Sequence, residues 1–323
     1  MNDLDYIFAV ARIRVKEKNL LRDSDIAQMI TMPGETQVLD FLQSHGWGEG
    51  SADRDAESIL SAEEARTLAL MHELQLDPAF LEVLSYPQLF HNMKAGIKEI
   101  VTAEPHPRAF YPLEDFGRDT MLKILKEKAF DQLPEPLQPV APAAFDLMLK
   151  TRDGQAVDML VDKETLNAME RAALKSKDPL FKQYLLDSVA ISNIKIAVRA
   201  QKMKKSREFI ENALADCSAF DKSQLAKAAS SGLEDLYAYL EKNGYQEGVE
   251  SLKASPSAFE RWCDNRLIRR LKGEKTHSES VGPVLAFYLA RMNEIKTVRI
   301  ILTAKANGFS EEAIRERVRE MYV

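Results

Sequence analysis

The sequence predicts an all-α protein built from one helical module that is used three times. Apolar residues recur at the three- and four-residue steps of a helix face, and no stretch of five or more residues alternates as a strand would. Glycine and proline number only 13 each in 323 residues, which suits a helical chain. A chain of this length exceeds one ordinary hydrophobic core, so two or three domains are expected.

One short pattern, an amide or acid followed by an apolar residue and a lysine, marks the repeat. It occurs as Asn92-Met93-Lys94, Asn193-Ile194-Lys195 and Glu294-Ile295-Lys296. The three lysines are 101 residues apart, and apolar residues precede each of them along one helix face. Three unrelated amphipathic helices would show the same faces, but the constant interval favours three modules. Their predicted bounds are 1–104, 105–208 and 209–323.

Helix signals open the chain. Apolar spacing predicts a helix from about 3 to 21, and capping signals begin short helices near Ser24 and Pro33. Ser61 with Glu64 forms a capping-box pattern, which predicts the start of a fourth helix at Ser61.

Prolines are predicted to interrupt the helices that follow. Because proline lacks the N–H that a helix interior needs, the first repeat helix is predicted to begin near Pro87. The proline-rich segments 104–112 and 134–142 are predicted to be a linker and an extended, semi-rigid spacer.

Periodicity and caps predict the remaining helices, with a polar and mobile loop at 273–282. The predicted helices are at about 116–130, from Phe145, and at 158–176, 180–205, 207–216, 221–229, 232–243, 256–272 and 283–307, with a last helix after Ser310.

No motif for catalysis, metal binding or cofactor binding occurs in the sequence. The chain has no Gly-Lys dipeptide, which excludes a phosphate-binding P-loop, and no Gly-x-Ser-x-Gly nucleophile elbow. Its five histidines never pair at the spacing of a helical zinc site, and Cys217 and Cys263 are too few for a cysteine-only site. His72 beside Glu73 is better explained as surface residues of a helix than as a catalytic pair. No cofactor or metal is expected, and an enzyme is the least favoured function.

Basic residues concentrate at 195–207 and 261–272, although the net charge is −6. The acidic chain, and the lack of aromatic residues interleaved in the first stretch, argue against nucleic acid as a partner. These stretches are either solvated helix faces or a docking surface for an acidic partner.

The hydropathy of the chain argues against membrane insertion. No segment approaches the ~18 consecutive apolar residues that a spanning helix needs. The acidic first residues lack the basic and then apolar layout of a signal peptide. We therefore expect a soluble, cytoplasmic protein that reaches a membrane only by docking onto another protein.

Several segments occur in the order found in one known family. They are Tyr6-Ile-Phe-Ala-Val-Ala-Arg-Ile-Arg-Val-Lys-Glu17, Ala143-Ala-Phe145-Asp146, Asn193-Ile-Lys-Ile-Ala-Val-Arg199-Ala200 and Tyr288-Leu-Ala-Arg-Met-Asn-Glu294-Ile-Lys-Thr-Val-Arg299. With Asn307-Gly308 and Tyr322-Val323, this set resembles the C subunit of V/A-type ATPases, whose eukaryotic counterpart is the d subunit. The family usually has Asp three residues before the repeated Asn. This chain has Leu89 and Ala190 there, so no polar contact is assumed at those positions.

The resemblance implies a funnel of three similar helical modules around a pseudo-threefold axis. One end would lie on the proteolipid rotor ring of the membrane sector, and the other would receive the central shaft, made of the D and F subunits. The chain would be a non-catalytic central-stalk subunit on the inner face of the membrane. It would transmit torque between ATP hydrolysis or synthesis and ion translocation.

Basic residues on the first helix and on the repeat helices are the candidates for contacts with these partners. They are Arg12, Arg14, Lys94, Lys195, Arg199, Lys202, Lys296 and Arg299. The alternative is an unrelated α-helical scaffold that recruits acidic partners through the basic helix at 195–207.

Overall fold

The computed structural model describes residues 3–49, 51, 53–74, 78–113, 115–273 and 281–323. Sixteen α-helices and three short 3-10 helices make up the regular structure of these residues, and no strand occurs among them. The all-α prediction is therefore confirmed. The chain divides into two compact units, one formed by Met1–Pro78 with Gly244–Val323 and the other by Ala79–Asn243. The three modules and their pseudo-threefold funnel stay predictions.

The helices follow one another in chain order, mostly with short connections. They are α1 Asp3–Glu17, α2 Asp23–Thr31, α3 Glu35–Ser44, α4 Ala56–Glu73, α5 Pro78–Thr102, α6 Arg118–Glu127, α7 Val140–Thr151, α8 Gly154–Lys175, α9 Pro179–Lys202, α10 Arg207–Ala213, α11 Lys222–Ser231, α12 Leu233–Lys242, α13 Gln246–Ala254, α14 Pro256–Lys272, α15 Gly282–Ala306 and α16 Glu311–Arg315. The 3-10 helices are Pro107–Ala109, Phe130–Gln132 and Glu135–Leu137.

The first unit is built around α15, which packs against α1 to α4 and against α14 and α16. Its apolar core combines Met29 and Leu42, from the first helices of the chain, with Val298 and Ile301 from α15. All four side chains are fully buried, so each contributes the full hydrophobic free energy of its side chain. The core therefore needs residues from both ends of the sequence.

The second unit is organised along α9. Helix α8 runs beside α9, and α10, α11 and α12 pack against it. The ring of Phe80 on α5 lies 4.7 Å from that of Phe181 on α9. Helices α5 and α6 approach closely at Gly96, where an added Cβ would lie 2.7 Å from Cδ1 of Leu125. A Cβ at this position would force the side chain of Leu125 to shift, so glycine allows the close approach of the two helices.

Helix α4 begins at Ala56, so the predicted start at Ser61 is wrong. Asp55 is the N-cap, and its side chain accepts the backbone N–H of Ser58 at 3.0 Å. This bond satisfies one of the free N–H groups of the first turn, so the helix starts one and a half turns earlier.

Helix α5 runs unbroken through Pro87, so the predicted start near that proline is also wrong. Proline removes one helical hydrogen bond, but the residues around it are held by packing. Tyr86 and Phe90 are buried on either side, and so is Met93 in the next turn. Burial of these large side chains offsets the lost bond.

Two further predictions about local structure differ from the fold. The segment 134–142 is not extended, because a 3-10 helix and the first turn of α7 occupy it, with Leu137 buried. Helix α13 was not predicted. Its Gly248 lies against the ring of Trp262, and a Cβ added to Gly248 would lie 2.9 Å from that ring. The other predicted helices are present with ends shifted by a few residues. The predicted mobile loop at 273–282 falls mostly on 274–280, outside the described residues.

Candidate functional site

The long helices α5 and α9 each use one buried asparagine to hold a later segment of the chain. Asn92 on α5 donates its side-chain N–H to the carbonyl of Tyr111 at 2.9 Å and accepts the N–H of Tyr111 at 2.8 Å. Asn193 on α9 bonds both backbone groups of Ala215 in the same way, at 3.1 and 3.0 Å. We call these contacts amide clamps, because asparagine side chains fix both the donor and the acceptor of a distant residue.

Helix α15 has a third amide clamp, which is shared by two asparagines. Asn293 donates to the carbonyl of Glu320 at 3.0 Å, and the side-chain oxygen of Asn265 accepts the N–H of Glu320 at 2.9 Å. Asn293 therefore has the role of the first two asparagines. The sequence pattern matched Glu294 instead, which is one residue too late, because the pattern was aligned on Lys296.

The first two clamps cross the predicted module boundaries. Tyr111 and Ala215 lie a few residues past the boundaries at 104 and 208, so each of these two clamps ties a repeat helix to the start of the next predicted module, whereas the third lies within one module. Leu89 and Ala190, three residues before the first two clamps, are buried apolar side chains. They pack in the interior of the second unit.

Glu294 is buried beside Arg291 on the same helix. Its Oε2 accepts a hydrogen bond from Nη1 of Arg291 at 2.8 Å, and its Oε1 accepts the backbone N–H of Leu21 at 2.8 Å. Arg291 also donates to the carbonyl of Asn19 at 3.3 Å, and its guanidinium lies 5.4 Å from the centre of the Trp47 ring. Burial raises the pKa of Glu294 to about 8, although the charge of Arg291 opposes this shift. The pair joins α15 to the connection between α1 and α2.

Five of the eight predicted partner-binding cations are paired within their own unit. The pairs are Arg12 with Glu73 at 2.7 Å, Arg14 with Glu17 at 2.8 Å, Lys94 with Asp162 at 2.7 Å, Lys296 with Asp264 at 2.6 Å, and Arg299 with Glu57. The positive charge of these five side chains is already balanced inside the fold.

Arg199 and Lys202, near the end of α9, differ from that group. Both are exposed, and neither forms an ion pair with the residues that the structure describes. Lys195, the eighth candidate, is half-buried one turn earlier on the same helix. The chain continues from Lys202 into a short turn before α10, where further basic and apolar residues are exposed, except Lys205, which is half-buried. We call the whole set the 199–209 patch; it comprises Arg199, Lys202, Met203, Lys204, Lys205, Arg207 and Phe209.

The second basic stretch, at 261–272, is engaged inside the first unit. Arg269 forms an ion pair with Glu320 at 2.5 Å. The guanidinium of Arg266 lies 5.5 Å from the ring of Tyr245 and 5.4 Å from that of Trp262. Arg269 thus holds the same residue that the third clamp fixes, and its pairing keeps the pKa of the Glu320 carboxyl below its usual range.

The residues that sequence reasoning considered for chemistry are not brought together. Within the described ranges, no three His, Cys, Asp or Glu side chains could hold one metal ion. Burial raises the pKa of the Cys217 thiol, so this cysteine is a poor nucleophile at neutral pH. Glu73 pairs with Arg12 of α1 rather than with its neighbour His72. None of the described helices is both long and apolar enough to cross a membrane.

Comparison with known proteins places the chain among the C subunits of ATPases and ATP synthases. The family model described as ATP synthase (C/AC39) subunit matches residues 9–317, so the chain belongs to that family. It is 20% identical to the C subunit of the V-type sodium ATPase of Enterococcus hirae, over 96% of this chain and 97% of the relative. It is 19% identical to the C subunit of the A-type ATP synthase of Methanocaldococcus jannaschii, over 96% of this chain and 85% of the relative. The resemblance seen in the sequence is confirmed at the level of the family.

Proposed function

We propose that the chain is the non-catalytic central-stalk subunit of a rotary V/A-type ATPase or ATP synthase. In this proposal it is a socket that receives the central shaft of the D and F subunits and sits on the proteolipid rotor ring. It transmits torque between ATP turnover and ion translocation at the inner face of the membrane. The family match over residues 9–317 is the observation that carries the proposal. Because the chain belongs to this family, the alternative of an unrelated scaffold is set aside.

The internal bonding of the repeat helices supports a role in torque transmission. A body that passes torque must resist deformation, and close-packed protein interiors have low compressibility. The clamps at Asn92 and Asn193 add two hydrogen bonds each between a long helix and a segment that otherwise has no regular structure. We propose that the modules 1–104, 105–208 and 209–323 are the three walls of the socket, and that the clamps fasten each wall to the next.

The eight predicted cations are proposed as the contacts with shaft and ring. Complementary charges at an interface mainly set the rate and specificity of association. Five of these cations are paired in the free chain, so their acidic partners inside the fold compete with acidic residues on the shaft or ring. Arg199 and Lys202 face no such competition among the described residues.

A pair of binding experiments tests the socket. The tagged chain is incubated separately with a purified D–F shaft and with the detergent-solubilised rotor ring, and retained proteins are identified by mass spectrometry. A socket must bind both. Retention of only one of them would show that the chain binds that part alone and does not link shaft and ring. Retention of neither would overturn the proposal.

Coupling gives the functional readout. Membranes stripped of the chain should hydrolyse ATP without building an ion gradient, and adding the purified chain should restore the gradient. The chain alone should show no ATP turnover. Restoration by an equal amount of heat-denatured chain would contradict a role that depends on the fold.

A further inference from the structure

We propose that the 199–209 patch binds the anionic phospholipid headgroups of the membrane surface. The inference rests on the proposed function, which puts the chain beside a membrane. It gives Arg199 and Lys202 to the lipid surface and leaves the other six candidate cations to the shaft and ring.

The patch carries positive charge that the fold leaves unbalanced. Five cations and one acid, Glu208, occur from 199 to 209, in a chain whose net charge is −6. Arg199, Lys202 and Lys204 are exposed and form no ion pair with any described residue. Arg207 reaches Glu211 only at 3.8 Å. A concentrated positive field on an acidic protein orients it toward an anionic surface.

The helix dipole accounts for only part of this charge. Cations at a helix C-terminus are stabilised by the partial negative charge of the last carbonyls, and this explains Lys202 at the end of α9. Arg207 is the first residue of α10, where a positive charge is unfavourable. Its guanidinium is held by Ser223, to which it donates at 2.9 Å, and by the weak pair with Glu211, so Arg207 is the most engaged cation of the patch.

Lys204 occupies a backbone position that normally belongs to glycine. Its φ is 52°, in the left-handed region that follows a helix end. Lys128 and Arg152 also end helices in this conformation, but each has a contact. The ammonium of Lys128 lies 5.8 Å from the Phe145 ring, and Arg152 donates to the carbonyl of Val101 at 2.5 Å. Lys204 has neither kind of contact in the described part of the chain, so its charge is available to an external partner.

Two exposed apolar side chains favour a lipid surface over an acidic protein as the partner. Met203 is 59% exposed and Phe209 is 38% exposed, and the ammonium of Lys205 lies 4.9 Å from the Phe209 ring. At a membrane interface such apolar groups enter the acyl boundary, while the long lysine and arginine stems extend to the phosphates. An acidic peptide would neutralise the cations but leave both apolar side chains in water.

Vesicle sedimentation of the purified full-length chain tests the proposal. Vesicles of phosphatidylcholine alone are compared with vesicles in which about a third of the lipid is phosphatidylglycerol, at low and at physiological salt. The chain should sediment with the anionic vesicles only, and less at higher salt.

Three variants locate the binding surface. Lys202→Glu with Lys204→Glu should lower the partition coefficient at least about tenfold. The matched control is Lys123→Glu with Lys126→Glu, which makes the same charge change at exposed residues of α6 in the same unit and should lower it much less. Met203→Ser with Phe209→Ser should weaken binding while keeping its salt dependence.

Lys204→Gly guards against loss of folding as an explanation. It removes one charge and relieves the left-handed backbone, so the chain should melt at a higher temperature and yet bind anionic vesicles less. Equal binding to neutral and anionic vesicles, or equal losses in the patch and α6 variants, would overturn the proposal. So would patch-dependent binding to soluble polyglutamate without binding to vesicles, which would assign the patch to an acidic protein.

The outcome is separable from that of the socket. The vesicles contain neither shaft nor ring, so the two assays are independent. If the chain binds anionic vesicles but retains neither shaft nor ring, only the socket proposal is overturned. If it retains both but does not bind anionic vesicles, only the lipid proposal is overturned.

Discussion

The helices α9 and α15 share an amide clamp but differ in the charges around it. Six residues after the clamp asparagine, both helices have an arginine. It is Arg199 after Asn193 and Arg299 after Asn293. Arg299 pairs with Glu57 of α4, whereas Arg199 forms no ion pair among the described residues. Equivalent positions on equivalent helices therefore have different chemistry, because the partner comes from a distant element that only one unit supplies.

On their interior sides, the same two helices differ in the other direction, because here it is α15 that has the polar residues. Two residues before the clamp and one after it, α9 has Ile191 and Ile194, and α15 has Arg291 and Glu294. An apolar pair in one unit is thus replaced in the other by a buried, hydrogen-bonded pair of Arg291 and Glu294, and Glu294 also bonds the backbone of Leu21. Helix α15 uses charge inside the fold, whereas α9 presents charge at the surface.

Removing a clamp should have the largest effect. Asn193→Ala leaves both backbone groups of Ala215 without partners, at about 1–3 kcal/mol each, so the free energy of unfolding should fall by about 2–6 kcal/mol. Asn293→Ala should cost about half as much, because Asn265 still holds the N–H of Glu320. Denaturant unfolding measures both, with exposed Asn212→Ala as the control. Equal losses for the two variants would show that the stabilisation by a clamp does not scale with the number of hydrogen bonds removed.

The buried acid should give a pH dependence that α9 lacks. The pKa of Glu294 is about 8 in the fold and near 4.5 in the unfolded chain, so the folded state binds the extra proton. Its stabilisation is present below about pH 4.5 and is lost as pH rises through about 8. The free energy of unfolding of the wild type, minus that of Glu294→Gln, should fall by more than about 1 kcal/mol over this window. A flat difference, or one that rises with pH, would exclude this group as the source.

The exposed arginines should give the smallest effect. Arg299→Ala should lower the free energy of unfolding by about 0.2–1 kcal/mol, and less in high salt, because it breaks an exposed ion pair. Arg199→Ala should change stability within about 0.5 kcal/mol, since no ion pair is lost. A double-mutant cycle of Arg299 with Glu57 isolates the pair. A cost at Arg199 equal to that at Arg299 would break the comparison.

Local rules predicted the helices well where one signal was present and poorly where two competed. Asp55 and Ser61 are both acceptable caps for α4, and the sequence does not say which one is used. Pro87 is a local break signal, but the burial of Tyr86 and Phe90 outweighs it. Packing between elements decided both cases, and periodicity within one helix carries no information about it.

In the candidate site, the sequence predicted the helix residues of the clamps but not the residues that they bind. Spacing singled out Asn92 and Asn193, because both lie in register with an apolar helix face. Their partners Tyr111 and Ala215 lie in segments without periodicity, so no pattern could assign them. The ion pair of Arg299 with Glu57 joins residues 242 apart in sequence, and nothing local indicates it. A sequence without an alignment shows which side chains can bond, while the fold decides which of them are used.

The order of synthesis gives the first unit a further property. Its core pairs Met29 and Leu42 with residues of α15, which the ribosome makes only after all of Ala79–Asn243. The second unit is continuous in sequence and is complete when residue 243 emerges, so it can fold first. The opening helices must wait with their apolar faces uncovered, and this interval is when chaperone binding and premature aggregation compete for the nascent chain.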